Sequence, residues 1–126
     1  MRKRESYFDP LYGLVIPAFN WVPAPRYLMR RSRLLANLPP AAPGQRLLEV
    51  GCGSGAMLED YKRLGYRCDA VEISPEALAV ARSVHAGESS VSIHEELPAG
   101  CESVYDVLVS CEVLEHIEDD LCALRK

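Results

Sequence analysis

Three glycines at alternate positions, Gly51, Gly53 and Gly55, follow a glutamate, Glu49, at the end of a short apolar run. Glycine lacks a Cβ, so such a turn bends sharply and lets the backbone approach a ligand closely. A second carboxylate, Glu72, closes another apolar run 21 positions after Gly51. In a doubly wound sheet it stands beside the glycine turn, where it can accept hydrogen bonds from two adjacent ribose hydroxyls and repels a 2′-phosphate. A third group, Glu112, Glu115 and His116, is spaced i, i+3, i+4 on one helix face. Two carboxylates and an imidazole there suit acid–base work or a divalent cation. The chemistry these residues suggest is recognition of a nucleoside. The dinucleotide fingerprint is G-x-G-x-x-G, whereas this turn is G-x-G-x-G, which argues against an NAD-type dehydrogenase. A structural glycine-rich turn without a ligand is the competing reading.

The elements that must position these groups follow from periodicity. Arg46 to Val50 reads as a buried parallel strand, and Ala56 to Leu64 as an amphipathic helix stopped by Gly65. Arg67 to Ile73 is the next strand. Ser74 is a good N-cap and Pro75 suits the first position of a helix over 75–86. A short third strand is expected around Val91 to His94, and a clearly apolar fourth over Tyr105 to Ser110. Leu114, Ile117, Leu121 and Leu124 lie on one stripe and predict a helix over 113–126. Ahead of all this, residues 26–38 read as a helix ended by Pro39-Pro40. Strands alternating with helices imply an α/β fold: a Rossmann-like, doubly wound parallel sheet with right-handed crossovers.

Residues 1–25 are rich in aromatics and carry Pro10, Pro17, Pro23 and Pro25, which argues against a long helix. This segment is expected to pack on the domain or cover the site as a lid. Residues 26–126 form the expected domain. No apolar run approaches the ~20 residues of a membrane span, and no secretory signal follows the basic start, so the expected location is cytoplasmic. The five cysteines include no C-x-x-C pair, so neither a zinc site nor a disulfide framework is indicated and reduced, mostly buried thiols are expected. Residues 1–46 hold eight Lys/Arg against Glu5 and Asp9, a balance of +6, which leaves −10 for the remainder of a chain whose total is −4. The basic cluster at Arg26 to Arg33 faces an anionic partner or is simply a solvated helix face.

Glu49-Val50-Gly51-Cys52-Gly53-Ser54-Gly55 resembles the first motif of the class I S-adenosylmethionine-dependent methyltransferases. Val71-Glu72-Ile73-Ser74 resembles their second, and the stretch from Tyr105 to His116, a strand running into Glu-Val-Leu-Glu-His, their fourth. The similarity covers roughly residues 34–126 and is nearest the group that includes ubiquinone-biosynthesis-type O-methyltransferases. It implies that Glu49 and the backbone of Gly51, Cys52 and Gly53 meet the methionine part of S-adenosylmethionine, with Gly55 a further cofactor-binding residue. Glu72 and Ile73 would meet the ribose side. Ile93 and His94 are the candidates for the adenine, although no Asp stands there as it often does in the family. Ser110, Cys111 and Glu112 would lie where the reactive methyl points to the acceptor. His116 is the candidate base, against the plainer reading of a packed helix histidine. The E-x-x-E-H pattern also resembles metal-using small-RNA 2′-O-methyltransferases, but the same letters occur in metal-free relatives and no metal is expected.

The family's fold continues for three more strands beyond the fourth. Only the strand order 3-2-1-4 is expected here, with the fourth as an apolar edge through which two copies can pair. Such a chain is expected to bind the cofactor weakly and to lack turnover. The expected function is methyl transfer to a small-molecule acceptor. A nucleic-acid methyltransferase and a non-catalytic cofactor-binding or dimerisation module are the alternatives.

Overall fold

A computed structural model of the 126-residue chain describes residues 7–9, 13–15, 25–111, 113–119, 121–122 and 125. In chain order the elements are β1 (Tyr7–Asp9), β2 (Gly13–Val15), α1 (Pro25–Asn37), β3 (Arg46–Val50), α2 (Leu58–Arg63), β4 (Arg67–Val71), α3 (Pro75–Val84), β5 (Val91–His94) and β6 (Val107–Ser110), followed by a 3-10 turn at Leu114–His116. β1 and β2 pair antiparallel as a separate ribbon. The expected lid falls largely on residues outside the described ones.

The main sheet is parallel, in the order β5-β4-β3-β6. Counted from β3 as the first strand, this is the expected 3-2-1-4. Because side chains alternate across a strand, one face of the sheet carries Leu47, Cys68, Ala70 and Val109, all buried. Against them pack Tyr27 of α1, Met57, Leu58 and Tyr61 in and before α2, and Ala81 of α3. α1 is also tied to α2 by a bidentate pair, Arg31 Nε and Nη2 donating to Asp60 at 2.9 and 2.7 Å. Arg31 is therefore committed to a carboxylate of this chain, and the Arg26 to Arg33 run is not simply a solvated face. β6 closes the sheet on one side, and its Leu108 is 61% exposed.

The element ends follow local chemistry. α2 stops where Gly65, at φ 96, adopts the left-handed conformation. Its N–H donates to Lys62 O at 2.9 Å and that of Tyr66 to Tyr61 O at 3.2 Å, the paired bonds of a glycine C-cap. α3 starts on Ser74, whose Oγ accepts the Ala77 N–H at 3.4 Å, with Pro75 in the first turn. β4 is shorter than expected, ending at Val71, and Glu72 after it places its carboxylate on neighbouring backbone N–H groups. The fourth sheet strand begins at Val107 and not Tyr105. Asp106 spends its carboxylate on the Arg46 N–H (2.8 Å) and its own N–H on Arg46 O (2.9 Å).

Among the described residues the helix expected over 113–126 is interrupted, and only residues 121–122 are α-helical. Leu114–His116 make one 3-10 turn, residues 118–119 are a turn, and Asp119 Oδ1 accepts the Cys122 N–H at 2.9 Å. An aspartate accepting from the residue three ahead is a helix-start geometry, and it competes with continuation of the preceding turn. None of the five thiols is in a disulfide, but only Cys52 and Cys68 are buried, Cys122 being exposed. Among the described residues no helix is long and apolar enough to cross a membrane.

Candidate functional site

The glycine turn leaves the C-terminal end of β3, between β4 and β6. Gly51, Gly53 and Gly55 have φ of 77, 57 and 77, where a side chain is disfavoured. Space demands glycine as well. A Cβ on Gly51 would collide with a γ-methyl of Val113, so the segment after β6 folds over the turn. The Gly51 and Cys52 N–H groups both donate to Val71 O, at 2.8 and 3.1 Å, which staples the turn to the end of β4. The Gly55 N–H donates to Cys52 O at 3.0 Å. The N–H groups of Gly51, Cys52 and Gly55 thus serve the turn itself.

Glu72 reaches the turn from β4. Its Oε2 accepts the Gly53 N–H and its Oε1 the Ser74 N–H, both at 2.8 Å. Each ionised oxygen has lone-pair capacity to spare. The expected juxtaposition of this carboxylate with the glycine turn is therefore present. Beyond it, Ile73 is 80% exposed and, with Glu95 and Glu96, lines a cavity of ≈ 480 Å³ at the ends of β4 and β5. An exposed isoleucine beside two carboxylates makes a crevice with one apolar wall and negative charge.

Glu49 does not lie open in that crevice. It is 2% exposed, on the core face of β3, where Tyr61 donates its hydroxyl to Oε1 at 3.3 Å. Oε2 is buried with no hydrogen-bond partner, as is Ser54 Oγ in the turn. Burial pushes the Glu49 carboxyl up to about 8, against the opposing Tyr61 hydrogen bond and the charge of Arg30. Orphaned buried oxygens beneath a glycine turn are costly unless a donor reaches them.

Ile93 pairs with Ala70 and shares that residue's face, and its half-buried side chain packs against the core. His94 faces the other way, with Nε2 on Asp69 Oδ1 at 2.9 Å, while Arg46 Nη2 donates to Asp69 Oδ2 at 2.7 Å. Burial alone would raise the Asp69 carboxyl. Hydrogen bonds from His94, Arg46 and Tyr105 outweigh it and hold the group below the usual range. One ring nitrogen of His94 is thus committed to this cluster.

Ser110 is exposed and pairs with Val50, immediately before the turn. Cys111 packs partly buried against the core. Glu112 lies outside the described residues. His116 has a side chain 73% exposed, 4.0 Å from Glu115, so it is not a packed histidine. His85, Asp69 and Tyr61 also shape the site, although no motif marks them, and so does Val113 of the Glu-Val-Leu-Glu-His stretch. The signal of the first three is only that each sits on a buried position of its element or at its end.

A family described as "Methyltransferase domain" matches residues 24–126. The chain is 40% identical over 91 residues to the ubiquinone biosynthesis O-methyltransferase of Xanthomonas campestris pv. campestris, covering 68% of this chain and 38% of that protein. It is 33% identical over 119 residues to the protein of the same name from Burkholderia thailandensis, covering 90% of this chain and 45% of that one. The chain thus spans less than half the length of these relatives. In fold it resembles a crystal structure of an S-adenosylmethionine-dependent methyltransferase from Mesorhizobium loti, with TM-score 0.62 and 24% identity over 75% of this chain and 44% of that one.

Proposed function

The chain belongs to the class I S-adenosylmethionine-dependent methyltransferase family, and on that premise we propose that it binds S-adenosylmethionine at the glycine turn for methyl transfer to an oxygen of a small-molecule acceptor. The observation that carries this is the Glu72 carboxylate held on the Gly53 and Ser74 N–H groups, at the lip of the turn. In this reading Glu72 accepts the two ribose hydroxyls and Ile73 offers its exposed face to the base. The turn's carbonyl groups, Glu49 and Ser54 take the methionine end. The buried, unpartnered Glu49 Oε2 suits a cationic amino group better than any phosphate. The carboxylates of Glu95 and Glu96 in the crevice, and of Glu72 at the turn, likewise favour a cofactor with a positive sulfonium and disfavour a pyrophosphate.

When bound, the cofactor supplies an electrophilic methyl group on sulfur. Ser110 and Cys111, at the end of β6, flank the path by which the acceptor approaches. With the cofactor bound there, an acceptor oxygen would take that methyl and the thioether would be the leaving group. His116, exposed on the turn after β6, takes the proton from the acceptor hydroxyl. Alignment and exclusion of water supply much of the rate in such a displacement. The oxygen acceptor is suggested by the relatives that bear the name O-methyltransferase.

Calorimetric titration with S-adenosylhomocysteine, and with NAD as comparison, tests the cofactor. Binding of the first and not the second is expected. Binding of NAD alone, or of neither, refutes the proposal.

A further inference from the structure

His85 caps the C-terminus of α3 and is 6% exposed. It lies outside every motif that points to the cofactor. Its Nε2 is 2.8 Å from the carbonyl oxygen of Gly55, 30 residues away. A carbonyl only accepts, so Nε2 carries the hydrogen and the ring donates. The same oxygen also receives the Leu58 N–H at 3.3 Å, which begins α2. A Cβ on Gly55 would lie 3.2 Å from both the His85 ring and the Ala81 methyl. Ala81 and His85 are one helical turn apart on α3, so this face of the helix is seated directly on the third glycine.

We propose that His85 is a positioning residue of the cofactor site: by donating to Gly55 O it locks the peptide plane at the end of the glycine turn and so pre-forms the turn for the cofactor. This rests on the reading of that turn as a cofactor site. Gly55, at φ 77, belongs to a residue type with several accessible backbone conformations, and hydrogen bonds that hold one of them lower the ordering cost of binding. The first glycine is held by Val71 O and the second by Glu72. The third has the imidazole, on a different helix, as the long-range holder of its carbonyl. His85 touches no cofactor atom in this arrangement and acts only through Gly55.

The test compares His85→Gln, His85→Asn and His85→Leu. A glutamine amide reaches about as far as Nε2, whereas an asparagine amide falls short. S-adenosylhomocysteine affinity is expected to drop about tenfold in the Leu and Asn variants and to stay within about threefold in the Gln variant. In amide spectra of the ligand-free chain, the Gly53, Gly55 and Ala56 signals are expected to move in Leu and Asn and to return in Gln. Should the Leu variant fail to fold, the Gln and Asn pair carries the comparison. Parent-like affinity in Asn, or equal weakening in Gln and Asn, overturns the proposal while leaving the cofactor reading intact. An unaltered chain that does not bind S-adenosylhomocysteine overturns the cofactor reading, and this proposal with it.

Discussion

Replacing Glu72 with alanine separates a cofactor carboxylate from one that merely ties two loops together. In the ligand-free chain its two oxygens accept the Gly53 and Ser74 N–H groups at 2.8 Å each. A carboxylate oxygen that accepts one such bond keeps a second lone pair. Two ribose hydroxyls donating to an ionised acceptor contribute ~1.5 kcal/mol each at the low end, so their loss weakens binding by ~3 kcal/mol, or about a hundredfold. The alanine variant also frees the Gly53 N–H, which loosens the turn and pushes the effect in the same direction. Glu72→Gln is the sharper probe. It keeps one carbonyl-type acceptor but sets an amide donor against a backbone donor, so an intermediate loss of about tenfold is expected. Calorimetric titration with S-adenosylhomocysteine reads the affinity, and a thermal melt of each variant confirms that the folded fraction is unchanged. A folded Glu72→Ala chain that binds within about threefold of the parent refutes the ribose assignment.

Two further substitutions test the turn and its surroundings. The folded chain keeps the Glu49 proton up to about pH 8, whereas the unfolded chain loses it near the ordinary value of 4.5. The unfolded state therefore binds fewer protons in that window, and stability falls as pH rises from about 4.5 to 8. Glu49→Gln should flatten this slope and leave the variant more stable than the parent at pH 8 by roughly 2–5 kcal/mol. Urea denaturation at several pH values measures it, and parallel slopes for the two chains would count against a buried neutral carboxyl. Gly51→Ala combines a left-handed φ of 77 with a collision at the Val113 γ-methyl, and should cost roughly 2–4 kcal/mol in a melt. Adding Val113→Ala clears the methyl and should restore part of that loss. Strict additivity of the two changes would show that the segment after β6 does not press on the turn.

The parts of the fold that were legible in the sequence are those decided over a few residues. Apolar runs set β3, β4 and β6 to within two residues, and β5 falls where Val91 to His94 suggested. Gly65 and Ser74-Pro75 mark helix ends by chemistry that acts three to four residues away. The same locality explains what the sequence left open. The stripe from Leu114 to Leu124 satisfies helical spacing, yet Asp119 caps a new start and interrupts it. Ile93 and His94 are adjacent in the chain, and only the sheet register decides that one enters the core and the other faces Asp69.

The amino-acid sequence alone determined the strand–turn–helix unit around Glu49 to Gly55 and the carboxylate at Glu72, because glycine freedom and strand period are properties of neighbouring residues. Tertiary structure decided how those residues meet. The Glu72, His94 and His85 bonds join groups 19, 25 and 30 residues apart, and Val113 closes on Gly51 from the segment after β6. It also decided that Glu49 is enclosed. No residue pattern states the dielectric around a carboxyl. That follows from Tyr61, Tyr27 and the core face of the sheet packing over it and removing its water.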